Sequence, residues 1–425
     1  MPPCVYQHSI TFDADAFNIF DFFKDQKNAF FLDSSLQGAV NPFSYIGFDP
    51  FTTFKGKDLR GVKKVFDKYR LGAQDLSFPA GAVGYLGYDG SLFFGLYDTI
   101  LAVDHQKHRL IISSFSKARI KDILKQIKGR SHFDQPGETG RRTGRIHFKS
   151  NFTKAGYMKA VLQALEYIRR GDIYQINLSH QIKAHVPQWS KYTEPAAIYK
   201  NLRHFFPSPF GAYFDDGRQV ILSASPERFL RLQNKIAQVK PMKGTRPRGK
   251  SKAQDIKLKE QLQKSPKEIA ELLMVTDLER NDLGRVCDYS SVKVKAMRSI
   301  ETYASVFQAT STVEGRLHKD KDQFDLLSAT FPSGSVTGCP KIEAMKIIGQ
   351  LEHGSRGLYT GALGYMSFSG SMDFNVMIRT MFLKQDQISF HVGGGIVADS
   401  KPQDEWQETW DKAKALIDTL ERSFL

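Results

Sequence analysis

SASPERFLRLQNKIAQVKPMKGTRPR, residues Ser223–Arg248, is the stretch that decides how this chain is read. Val220-Ile221-Leu222 leads into it and Phe229-Leu230 lies within it, the β-branched and apolar content of sheet. Pro226 and the cluster Pro241, Gly244, Pro247 and Gly249 stop the strands at fixed points. The expected result is a hairpin with an acid, Glu227, at one end and an amine, Lys243, at the other. A lysine between Pro241 and Gly244 sits on constrained backbone, and an amine acts as a nucleophile only when desolvated or tuned. On local sequence alone the plainer reading is a surface charge, in a basic loop with Lys240, Arg246, Arg248 and Lys250.

Composition bounds the rest. With 425 residues and 41% hydrophobic content, the chain can bury one large core or two moderate ones. It contains no run of eighteen apolar residues to span a membrane, and its start lacks the layout of a signal peptide. Cys4, Cys287 and Cys339 are widely spaced and fit no zinc or disulfide pattern, which points to a reducing, cytoplasmic protein. A formal charge of +15 suits an anionic partner, either nucleic acid or a polycarboxylate metabolite. The basic residues are scattered, so charge does not choose between them.

Residues 1–128 form a first region of strands: Phe30 to Ser35, Phe43 to Gly47, the glycine-rich run Gly81 to Gly90, and a hairpin through Ile100–His105 and Arg109–Ile112. Residues 129–149, rich in Arg, Gly, Gln and Asp, are expected to be a linker to a second region, 150–425. That region opens with a helix carrying Tyr157, Val161, Leu165 and Ile168 on one face, closed by Gly171. In the strand that follows, Gln175, Asn177 and Ser179 share a polar face, for which solvent is the default and a site the alternative. Ser265, Pro266 and Glu268 read as a capped helix start. Glu271, one turn deeper, borders Leu272–Val275, where an unpaired carboxylate needs a metal or a cation. The alternating signs of Asp277 to Arg285 suggest ion pairs around the helix end.

Phe331 to Gly338 is a loop feeding a helix, an anion site by its free amides. Its lysine is out of place for a Walker motif, so a carboxylate suits it better than a nucleotide. Arg379 falls mid-strand, where it needs a carboxylate to grip, and Gly393-Gly394-Gly395 weaken a strand unless a ligand needs the backbone. In the last helix Glu405 and Glu408 lie off an apolar stripe of Trp406, Trp410, Ala413 and Ile417. They repeat the spacing of Glu268 and Glu271. Two such pairs could share Mg²⁺; taken singly, each reads as a solvated face.

Seven motifs in this order, SPERF, PMKGTRPR, AELLMVTDLERNDLGRV, FPSGSVTGCPKIEAM, RGLYTGALGY, IRT and GGGIVADSKPQDEWQET, resemble the chorismate-utilising enzyme family, with anthranilate synthase component I, aminodeoxychorismate synthase component I, and the isochorismate and salicylate synthases. The resemblance implies an α+β fold of two large antiparallel β-sheets packed as a sandwich with helices outside. It also implies Mg²⁺ on Glu271 and Glu408, with Glu268 and Glu405 behind them. Chorismate's ring carboxylate would meet Thr337 and Gly393 to Gly395, its enolpyruvyl carboxylate Tyr359 and Arg379. Glu227 matches the general acid for the carbon-4 hydroxyl.

Two positions separate the branches of the family. Isochorismate and salicylate synthases carry a lysine base where this chain has Gln175. Anthranilate synthases carry alanine where it has Lys243, and here the lysine resembles the aminodeoxychorismate branch, in which it attacks carbon 2 before ammonia enters carbon 4. Gln308 departs from a family histidine and keeps only a hydrogen-bonding role toward substrate; Cys339 stands where alanine is usual. Ser34 and Tyr45 match the tryptophan pocket of some relatives. The implied partners are chorismate, ammonia and a separate glutamine amidotransferase subunit. Anthranilate formation is the rival activity, and RNA binding through the basic loop the rival from another class.

Overall fold

The chain changes sheets at Pro226. Val220–Ser225 is a strand of one sheet and Arg228–Gln233 a strand of the other, so Glu227 emerges at the crossing between the two layers. The computed structural model describes residues 4–36, 41–72, 74–129, 146–187, 193–303 and 306–424. Arg228–Gln233 then forms the expected hairpin with Ile236–Val239. Its two turn residues, Asn234 and Lys235, have φ of 51° and 63°, the paired left-handed backbone of a type I′ turn, which matches the twist of the flanking strands. Met242–Pro247 carries Lys243 onward, paired with Val306–Arg316.

Among the described residues the two antiparallel sheets hold twelve and ten strands. The first 128 residues supply strands to both. Phe30–Asp33 pairs with Phe210–Asp215 in the first sheet, and Gly81–Leu86 with Ala362–Ser367 in the second. Between the layers Phe30, Tyr45, Ile221 and Phe382 of the first sheet pack against Val83, Tyr85, Leu363 and Tyr365 of the second, all buried. Helices cover the outer faces: Ala16–Phe23, Pro195–Phe205 and Pro402–Phe424 on the first sheet, Arg60–Tyr69 and Gln323–Thr330 on the second. This is the two-sheet α+β architecture expected from the sequence. Most of the expected linker, 130–145, lies outside the described residues; beyond it Phe148–Ser150 pairs with Gln175–His185. No helix among the described residues is long and apolar enough to cross a membrane.

Local signals hold where neighbours agree with them. Thr153 caps Lys154–Arg170, accepting from the Gly156 N–H at 3.1 Å, and Gly171 closes that helix at φ 80°. Three other readings are corrected by packing. Gln175, Asn177 and Ser179 are buried, because the second face of their strand looks into the molecule and not into water. Ser265 makes no side-chain cap, and Glu268 is drawn instead to Arg246. Arg379 lies in the break between Met372–Val376 and Thr380–Lys384, in left-handed backbone at φ 49°.

Gly84 and Gly364 face each other across paired strands. A Cβ on Gly84 would lie 1.9 Å from the Phe93 carbonyl oxygen, which only a backbone shift could relieve. Gly84→Ala is therefore expected to cost about 1–3 kcal/mol by overpacking, read as a lower denaturation midpoint with an unchanged slope.

Candidate active site

Strands from both sheets and two helices enclose a cavity of about 640 Å³. Glu227 enters it from the sheet crossing and Lys243 from the Met242–Pro247 strand. Gly393 and Gly395 come from the Gln387–Ile396 strand, Glu268 and Glu271 from the Pro266–Gly284 helix, and Glu405 and Glu408 from the final helix. Tyr359 and Arg379 line the same space.

Lys243 is half-buried and lines the cavity; its Nζ lies 3.5 Å from the Ser335 carbonyl oxygen. A Cβ on Gly395 would sit 2.9 Å from Gln175 Nε2 and in ordinary contact, 3.4 Å, with that Nζ, so this glycine leaves room for the Gln175 amide and borders the amine. Burial pulls the Lys243 amine below its usual value, against the opposing pull of Glu271 and Glu227. Glu227 is buried, and desolvation pushes its carboxyl up to about 7 although the Ser335 side chain, Lys243 and the Met242 N–H favour the charged form. Water withdrawal thus moves amine and acid toward their neutral forms together.

The four glutamates expected at a metal divide unequally. Glu268 accepts a two-pronged contact from Arg246, at 2.7 and 3.3 Å. Glu405 takes a 2.6 Å hydrogen bond from Ser400 and lies on the buried line of its helix with Thr409 and Ala413, not off the stripe; Trp406 and Trp410 are only half-buried. Lys412 binds Glu408 at 2.7 Å and, although burial opposes it, helps hold that carboxyl below its usual value. Among the described residues Glu271 forms an ion pair only with Lys267, 4.0 Å away, and burial raises it against the pull of Lys243 and Lys267. Among the described residues no three histidines, cysteines or carboxylates form a chelating group by themselves.

Arg379 reaches the cavity in an ion pair with no carboxylate among the described residues, and Tyr359 stacks on His391 at 5.0 Å between centroids. Thr337 and Gly394 do not line the cavity: Thr337 is turned back to the Ser333 carbonyl, and a Cβ on Gly394 would face Glu405 and Glu408. Gln175, buried beside Gly395, and Gln308, buried opposite Thr245, both lie outside the lining. The loop amide expected to hold a ligand carboxylate is taken by the protein's own: Gly334 N–H donates to Glu279 at 3.0 Å. Ser34 and Tyr45 fall in different cavities, and that of Tyr45, about 30 Å³, is too small for an indole ring.

Lys267, Ser335, His391 and Lys412 line the cavity and were not singled out from the sequence. Lys267, four residues before Glu271, and Lys412, four after Glu408, carry the local signal of that spacing.

The profile of chorismate binding enzymes matches residues 27–418. Anthranilate synthase component 1 of Thermus thermophilus is 35% identical over 92% of this chain and 92% of its own. Aminodeoxychorismate synthase component 1 of Bacillus subtilis is 33% identical over 90% of each. The crystal structure of anthranilate synthase component I from Streptococcus pneumoniae superposes with a TM-score of 0.78 and 30% identity, covering 90% of this chain and 93% of that one. This chain belongs to the chorismate-binding enzyme family.

Proposed function

We propose that the chain is the ammonia-using subunit of an aminodeoxychorismate synthase, converting chorismate and ammonia into 4-amino-4-deoxychorismate. One observation carries the reading: an amine, Lys243, lies desolvated in the same cavity as a carboxyl, Glu227, that stays protonated to about pH 7. A neutral amine can attack only while an acid stands ready to protonate the leaving group. Lys243 Nζ bonds to carbon 2, both double bonds of the ring diene shift, and the carbon-4 hydroxyl leaves as water with the proton of Glu227. Ammonia then enters carbon 4, both double bonds shift back, and the lysine is released. Arg379, free of any protein carboxylate among the described residues, and Tyr359 suit a substrate carboxylate.

A divalent cation fits this cavity. Five acidic side chains (Glu227, Glu268, Glu271, Glu405, Glu408) and five basic ones (Lys243, Arg246, Lys267, Arg379, Lys412) line it, so the walls are balanced. A dicarboxylate alone would add two uncompensated negative charges to a poorly solvated space. Glu271 and Glu408 offer the hard oxygen ligands that Mg²⁺ prefers, with substrate and water completing the set. Glu268 and Glu405 would support them from behind. Bound there, the ion would neutralise a substrate carboxylate.

Ammonia would come from a separate glutamine amidotransferase. The specific rival is anthranilate synthesis, the activity named for two of the three relatives above.

Three outcomes are expected. Protein incubated with chorismate and Mg²⁺ without ammonia should gain the mass of chorismate less one water, and Lys243→Ala should gain nothing. Anthranilate as the product with ammonium present would refute the assignment. Glu227→Gln should abolish turnover while leaving the fold intact. Because folding lifts Glu227 from 4.5 to about 7, its stabilising contribution is complete below the lower value and lost as pH rises through the upper one. The melting temperature of Glu227→Gln relative to the native chain should therefore rise between about pH 4.5 and about pH 7 and level off above that. Glu405→Gln should weaken Mg²⁺ binding about 10–100-fold, measured by calorimetry, while chelation should stop turnover.

A further inference from the structure

A chain of buried hydroxyls runs from Ser335, on the cavity wall beside Glu227, to Glu279 outside the cavity. Glu279, on the Pro266–Gly284 helix, is 2% exposed and does not line the cavity. Ser333 Oγ donates to Glu279 Oε1 at 3.1 Å, and Ser333 Oγ and Ser335 Oγ are 3.0 Å apart. The Ser335 side chain faces the Glu227 carboxyl, with which it lines the cavity, and draws it toward the charged form. All four residues are buried, and Glu279 Oε2 has no hydrogen-bond partner among the described residues.

We propose that Glu279 is a positioning residue that shares one proton with Glu227 through the hydroxyls of Ser333 and Ser335. The inference rests on Glu227 being the general acid of the proposed reaction. Each serine has a single proton to give, so the direction of the chain is set at its ends. With Glu279 ionised, Ser333 donates to it, Ser335 donates to Ser333, and Glu227 must donate to Ser335, which keeps Glu227 protonated. In the reverse arrangement Glu279 donates to Ser333, Ser333 to Ser335 and Ser335 to an ionised Glu227. The two differ by three concerted proton shifts, with none gained or lost.

The surroundings choose the end. Gly334 N–H donates to Glu279 Oε1, and Lys341, from the helix Lys341–Leu351, opposes the burial and the Asp282 charge that raise Glu279. Lys341 itself binds Asp282 and the Thr330 and Pro332 carbonyls. At the other end Glu227 faces Lys243 and the Met242 N–H. When Lys243 is neutral, charge is best placed on Glu279 and the proton on Glu227. Two groups sharing a proton titrate as a pair, and burial lifts each to about 7. Once Glu227 has protonated the leaving hydroxyl, the nitrogen that added to the ring carries the proton that reloads the pair.

Glu279→Gln keeps the volume and an acceptor for Ser333 and Gly334 but removes the charge that holds the proton on Glu227. Infrared titration of the substrate-free protein should show the protonated carboxyl of Glu227, assigned by its loss in Glu227→Gln, disappearing about one pH unit lower than in the native chain. The alkaline limb of the kcat profile should move by the same amount, and Glu279→Asp should restore it in part. Ser333→Ala, which retains both carboxyls and interrupts the chain, should shift the band in the same direction if Glu279→Gln does not fold. A band and limb unmoved in the variants that fold, even with a lower plateau rate, would overturn the proposal. A shifted band in a protein that makes anthranilate would uphold the shared proton and sink the assignment of the product instead.

Discussion

Withdrawing water from one acid and one amine at the same place is the constraint on which the site depends. In bulk water near neutral pH both groups would be charged, and neither could do displacement chemistry. In the cavity burial acts on them in opposite directions, raising Glu227 and lowering Lys243, so both approach neutrality. The fold obtains this by carrying the chain from one sheet to the other at Pro226, which places Glu227 between the layers. The next hairpin returns the chain so that Lys243 arrives two strands later.

The carboxylates opposite them are set by a different rule. Glu271 belongs to a helix packed against the strand Val306–Arg316 of the second sheet, and Glu408 to the helix lying on the first. Each layer therefore contributes one cavity carboxylate, and their relation follows from how the layers stack. Lys267 and Lys412, each four residues away along its helix, moderate the charge without sealing it off. Because an unpaired buried charge is expensive, such balanced walls are what a cavity built for a charged ligand requires in its absence.

Much of the fold was legible in the sequence because strands and caps are local. Short apolar runs ending in polar turns marked the Phe43–Gly47 and Thr99–Asp104 strands, and Thr153 and Gly171 bracketed their helix. The failures share one cause. Local rules give polar residues to water, and they cannot see a second layer arriving from far along the chain. Asn177 and Glu405 looked solvated by their spacing; each is buried because a distant element covers it. Glu268 looked like a cap because its competing partner, Arg246, comes from a strand 22 residues earlier. The motifs carried Glu227, Lys243, Glu271 and Glu408 to one cavity, yet Glu279 was visible only as one sign in a charged run. Its meaning depends on a loop more than fifty residues away.

Similarity over the whole chain cannot decide the product. Relatives named for two different activities stand at 35% and 33% identity, because most aligned positions hold sheets together and report only the shared fold. The products would diverge at the carbon that receives nitrogen, and that choice belongs to the side chains touching the ring. Gly395 borders the amine on one side and the Ser335 carbonyl on another. An alanine at position 243 would leave that space to water or ammonia. With lysine there the protein's own nitrogen occupies it, at a local concentration no dissolved amine can match. The proposed function therefore depends on one side chain and on the burial that keeps its nitrogen from water.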